Sequence, residues 1–143
     1  MKSCCSRNGN QKTIMTAIYI YWISTALLSL LYLASAFMYA TKAGWVRQAL
    51  TDLGYPTYLL PVMVIVKVLG AVAILSRFSV TISDLAYAGI FYHLLLSGLA
   101  HIGVRKPTGA LPAVLGLALL AASFATQNAA RAVPSPYALV AIL

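Results

Sequence analysis

Lys67, His93, Ser97 and His101 are the residues whose types and spacing could do chemistry in this chain. Lys67 is the one cation in the apolar run Leu53 to Leu75, 8 residues from its end. At 1.5 Å rise per residue it would sit roughly 12 Å deep if that run crosses a bilayer. Insertion scales put a central lysine at about 2.5 to 3.5 kcal/mol, so such a residue faces a bundle interior or water and takes a partner. His93 stands 8 residues after Leu85, the start of the next apolar run. If the two runs are antiparallel helices joined by a short turn, Lys67 and His93 are level. His93, Ser97 and His101 then form a polar strip from midplane to a mouth near Tyr55 and Tyr58. Lys67 has four options in that setting: to lose its proton to burial, to be hydrated, to donate to neutral His93 or to hydroxyls, or to meet an external anion or quinone-like carbonyl.

Asp52 and Asp84 are the only acids, and both fall at expected helix ends. Asp84 is roughly 12 Å from the level of Lys67, beyond side-chain reach, so the lysine has no acid of its own. Two histidines 8 residues apart, with no Cys, Asp or Glu at that depth, make no metal site. A nucleophilic triad, a paired-carboxylate site and a phosphate loop all lack their residues, so no autonomous catalytic motif and no cofactor site is legible. The bland alternative has Lys67 hydrogen-bonded within the bundle or snorkelling, and the histidines satisfied by neighbours.

The elements that must hold these groups are membrane helices. With 62% apolar and 8% charged residues and a mean hydropathy of +0.88, the 143 residues do not describe a water-soluble domain. Four spans are expected, at about 14–40, 58–75, 85–104 and 111–126, the last short enough to need thinning, little tilt or extension to Asn128. The expected fold is all-α, an integral membrane four-helix bundle with a short interfacial helix between the first and second spans. The net charge of +8 would suggest nucleic acid in a soluble protein. Here the cations lie in the tail and between spans, where anionic headgroups explain them, and no nucleic acid partner is expected. The expected partners are the lipid bilayer, and a membrane protein or a second copy of the chain. With both termini inside, five cations face in (Lys2, Arg7, Lys12, Arg77, Arg131) and four face out (Lys42, Arg47, Arg105, Lys106), a bias toward cytoplasmic termini.

Residues 1–13 are polar and basic and read as a loose surface tail, with Cys4 and Cys5 forming neither a disulfide framework nor a metal motif. The run before Ala34-Ser35-Ala36 is longer than a usual signal-peptide core, so it reads as a span rather than a cleaved leader. Tyr19, Tyr21, Trp22, Phe37 and Tyr39 fit aromatic belts. Nothing in this first span can neutralise a lysine. Trp45, Val46, Ala49, Leu50 and Leu53 form one face of the short helix, with Arg47, Gln48, Thr51 and Asp52 opposite. Gly54 fits its stop, Pro56 an early position of the next helix, and Pro61 a bend near that helix's entrance. Asp84 fits a helix cap. The fourth span reads as packing material, with close contact at Ala118/Ala122 and Ala121/Ala125. After Pro134 and Pro136 the apolar end is too short to span and either docks on the bundle or lies in the interface.

Leu53-Gly54-Tyr55-Pro56 with Tyr58-Leu59, then Lys67-Val68-Leu69-Gly70-Ala71, then Leu85-Ala86-Tyr87-Ala88-Gly89, with His101 closing the third span, resemble the DoxX-like family of small four-helix bacterial membrane proteins. The resemblance runs from the first span to the fourth and implies a bundle in the bacterial inner membrane. Some relatives are linked to quinone-coupled sulfur oxidation or to assemblies that handle oxidative stress, which makes a quinone an implied partner and a redox-associated subunit an implied role. The resemblance also implies an acid where this chain has His93, so a fixed salt bridge to Lys67 gives way here to a pair that responds to pH.

Overall fold

A computed structural model describes residues 3–138, with side chains from residue 10 onward. Five α-helices and two short 3-10 segments make up its regular structure, and no strand occurs among the described residues. α1 runs Ser3–Thr41, α2 Ala43–Asp52, α3 Leu59–Ser76, α4 Val80–Gly103 and α5 Leu111–Thr126. Four stretches are long and apolar enough to cross a membrane, at Asn10–Thr41, Leu59–Ser76, Val80–Gly103 and Pro107–Ala130. The backbone expected to be a loose tail is helical from Ser3 onward. Both cysteines lie outside the described side chains. The fourth span is not short, because 3-10 turns at Pro107–Ala110 and Gln127–Ala130 lengthen α5 at both ends.

α1 packs on α3 and α5, and α4 closes the ring by packing on the same two helices. The core between them is formed by Leu28 and Tyr32 of α1, Ala71 and Ile74 of α3, Tyr87, Ile90 and Leu94 of α4, and Ala113 and Leu120 of α5. The outward faces are apolar too, as a bilayer requires: Leu30, Ile65, Leu69, Leu85 and Leu115 are all exposed.

Turn chemistry fixes how the helices enter and leave. Gly54, at φ +79°, ends α2: its N–H bonds the Thr51 carbonyl at 2.9 Å and the Tyr55 N–H bonds that of Leu50 at 2.8 Å. This is a Schellman stop, with glycine where a Cβ would be strained. The same pair of bonds ends α4, from Arg105 N–H to Ile102 and from Lys106 N–H to His101, with Arg105 taking the left-handed position at φ 57°. Pro56 lies in the turn before α3. Pro61 is the third residue of α3, where its missing N–H would be unpaired anyway, and the expected bend has no cause there. α4 begins after Ser79, four residues before Asp84, so Asp84 does not cap it.

Asp84 instead anchors a polar cluster at the end of the bundle opposite α2. It accepts from Gln127 Nε2 at 3.2 Å and from Ser135 Oγ at 2.7 Å. Arg131 donates to Ser83 Oγ at 2.6 Å, and Arg77 donates to the Ala130 carbonyl. Asn128 binds the backbone of Ser135 and Ala138, so the segment after α5 docks on the bundle up to residue 138. Above this cluster Ser123 is fully buried and shares 2.6 Å hydrogen bonds with Thr25 of α1 and Tyr87 of α4. The fourth span is therefore more than packing material. Its contact stripe is Ala113, Gly116, Leu120, Ser123 and Gln127, while Ala118 and Ala121 face outward. Ser123→Ala removes both of these hydrogen bonds, and unfolding measured in a bilayer is expected to show a loss of about 1 kcal/mol, the scale of hydrogen bonds between membrane helices.

Candidate functional site

Lys67 sits in the middle of α3, and its residue surface is 5% exposed. Its ammonium finds its partners on α1, a helix that carries no acid. Nζ donates to Ser35 Oγ at 2.6 Å and lies 3.7 Å from the centre of the Tyr39 ring. A hydroxyl and an aromatic face solvate a cation without cancelling its charge. Ser35 and Tyr39 are four residues apart on one face of α1, and that spacing was the available sequence signal. A count of charged residues does not reveal it, because a serine hydroxyl and a tyrosine ring carry no formal charge.

His93 of α4 borders the same cavity as Lys67. No hydrogen bond joins them. The His93 ring meets Tyr32 of α1 edge to face, with centroids 5.8 Å apart. Ser97 and His101 continue the strip along α4 and border the same cavity, whose volume is about 330 Å³. All four core residues of the sequence-derived site are thus assembled in one place. Nδ1 of His101 is buried without a hydrogen-bond partner. A Cβ added at Gly109 would lie 2.4 Å from that nitrogen, so glycine there lets the α4–α5 turn close on the imidazole.

α2 forms the roof. The apolar face read from its sequence, Trp45, Val46, Ala49, Leu50 and Leu53, lines the cavity, and Val46 and Leu50 are buried against Leu60, Tyr39 and Met63. An amphipathic helix has one apolar stripe to bury, and here the stripe turns inward over the mouth of the bundle. An exposed ion pair from Lys106 to Asp52, 3.7 Å long, ties the end of α2 to the α4–α5 turn and is worth at most about 1 kcal/mol.

A second cavity of about 270 Å³ adjoins the first across His93, Ser97 and His101 and is lined by Tyr55. Tyr58, grouped with Tyr55 from sequence, is 72% exposed and borders neither cavity. Among the described residues no group of His, Cys, Asp or Glu could hold a metal ion.

The sequence matches the model of the DoxX-like family over residues 23–123 of its 143. The chain belongs to the DoxX-like family. The matched region runs from within α1 to Ser123 of α5 and includes the whole cavity lining described above. As a DoxX-like protein with four apolar helices, the chain is a multi-pass membrane protein whose environment is a lipid bilayer. No curated protein and no solved structure matches the chain.

Proposed function

We propose that this DoxX-like protein is a redox-associated subunit of the bacterial inner membrane, and that its cavity binds a quinone-like or small anionic ligand beside Lys67. One observation carries the reading: a buried ammonium without a carboxylate partner borders a cavity together with His93, Ser97 and His101. Satisfied interiors leave few such groups, and a site that presents several donors suits an oxygen acceptor. Tyr55 borders the adjoining cavity on the side of the mouth. Turnover is not part of the proposal, since these residues can bind and orient an acceptor without supplying a redox centre of their own. The basic N-terminal segment favours cytoplasmic termini, which places α2 and the cavity mouth at the outer leaflet.

A second reading is a structural or assembly protein, bound to a membrane protein partner or to its own copy. It is favoured by the Ser35 hydrogen bond and the Tyr39 contact, which give Lys67 internal partners. The two readings separate in thermal unfolding of the detergent-purified protein with a panel of quinones and small anions. A ligand at 100 times its Kd stabilises the folded state by about 2.7 kcal/mol, an upward shift in midpoint that Lys67→Met should abolish. If no member of the panel shifts the wild type, the ligand reading fails and the assembly reading stands.

A further inference from the structure

We infer that the ligand is a long-chain carboxylate, a fatty acid reaching the site sideways from the bilayer, with its head at Lys67 and its chain in the groove between α3 and α4. The inference rests on the cavity reading above and narrows it to one chemical class.

The groove is the third cavity of the bundle, about 590 Å³, and it opens toward lipid. Its floor is made of small residues, Gly70 and Ala73 on α3 and Ala86 and Gly89 on α4, with larger apolar side chains as walls. It runs from Val66 to Ser76, roughly 15 Å along α3, a length that suits an acyl chain. His93 borders this groove and both cavities described above, and Tyr32 borders the groove and the Lys67 cavity. The Lys67 cavity and this trough meet at the Tyr32–His93 pair, whose rings touch edge to face, so a molecule filling both passes between those two side chains. A molecule filling both has a polar head and a single chain.

Charge selects the head. The chain has only two acids, and both are engaged elsewhere: Asp52 with Lys106 and Gln48, Asp84 with Gln127 and Ser135. Lys67 has three N–H donors and gives one to Ser35. A carboxylate accepts at two oxygens and supplies the negative charge missing at this depth, so the bound pair removes an uncompensated buried cation. A chainless anion would meet the same charge and leave the trough unused. A neutral quinone would use the donors and leave the charge.

The chain gains little from leaving one apolar environment for another, so its contribution lies in packing and in the high concentration of lipid beside the groove. A test must therefore alter the groove without altering partitioning. Gly89 permits this, because a Cβ there meets nothing within 4 Å and the residue is exposed.

The full-length protein would be placed in phosphatidylcholine nanodiscs and its saturable binding of tritiated palmitate measured, with acetate, hexadecanol and a decyl-substituted benzoquinone as competitors. The expected result is binding that acetate and hexadecanol do not displace, that Lys67→Met abolishes and that Gly89→Phe weakens at least tenfold. Gly89→Leu serves if the Phe variant misfolds. A palmitate with a photoreactive group near its chain end should label the far end of the groove, around Ser76, Ile82 and Leu85. Lys67-dependent binding that ignores Gly89→Phe, with label on α2 or α5, overturns the chain path. If palmitate does not bind while a quinone or a chainless anion still raises the unfolding midpoint through Lys67, the carboxylate assignment falls and the cavity reading survives. If nothing binds, both fall.

Discussion

Lys67→Met is expected to make the empty protein more stable, by about 1 kcal/mol. The arithmetic opposes two effects. A lysine at the centre of a span costs about 2.5 to 3.5 kcal/mol relative to an apolar residue. Against that, the hydrogen bond to Ser35 contributes on the order of 0.6 kcal/mol for a bond between membrane helices. The Tyr39 contact contributes about 1 to 2 kcal/mol for a desolvated cation over a ring. Methionine keeps the length and volume of the stem, and the freed Ser35 hydroxyl can turn back to a carbonyl of its own helix. The two sides nearly balance, and the remainder favours methionine. Ser35→Ala is expected to act in the opposite direction, because it keeps the charge and removes its acceptor, a loss of about 1 to 3 kcal/mol. Both are read from unfolding midpoints of ligand-free protein. A destabilised Lys67→Met would mean that the lysine holds the helices together, and would favour the assembly reading.

Gly116→Leu is expected to be the more damaging change, costing about 3 kcal/mol, the upper end for overpacking a filled core. A Cβ at Gly116 would already stand 2.9 and 3.0 Å from the two methyl carbons of Leu94 and 3.3 Å from Leu31. Leu94 and Leu31 both line the Lys67 cavity, so the extra atoms push them into the ligand's space. Loss of stability and loss of ligand response should therefore appear together. Gly98→Ala on α4 is the control. Its Cβ would meet Ala113 at 3.7 Å, an ordinary contact, and a glycine-to-alanine change inside a helix is expected to stabilise by about 0.5 to 1 kcal/mol. Equal effects at the two glycines would show that helix propensity, rather than the α4–α5 contact, governs both.

The amphipathic helix over the cavity illustrates how local pattern and global packing divide the work. Its apolar face was legible residue by residue, because a 3.6-residue period sorts side chains without reference to anything else. Whether that face lies in lipid headgroups or over a cavity depends on the position of α3 and α4 beneath it, and a single helix carries no record of that.

Four apolar stretches, the short helix between the first two and the glycine stop of α2 all followed from the sequence. Each depends on near neighbours in the chain. The tertiary structure alone decided what Lys67 touches. Ser35 and Tyr39 lie about thirty residues away on a helix whose rotation about its own axis is set by packing against α3 and α5. The same holds for Ser123, which joins three helices, and for Asp84, which binds the segment after α5 instead of capping its own helix. Hydrophobicity says which segments enter a membrane, because lipid contacts each one separately. Which polar side chains then meet is a property of how the helices rotate against one another, and only the packed bundle fixes that.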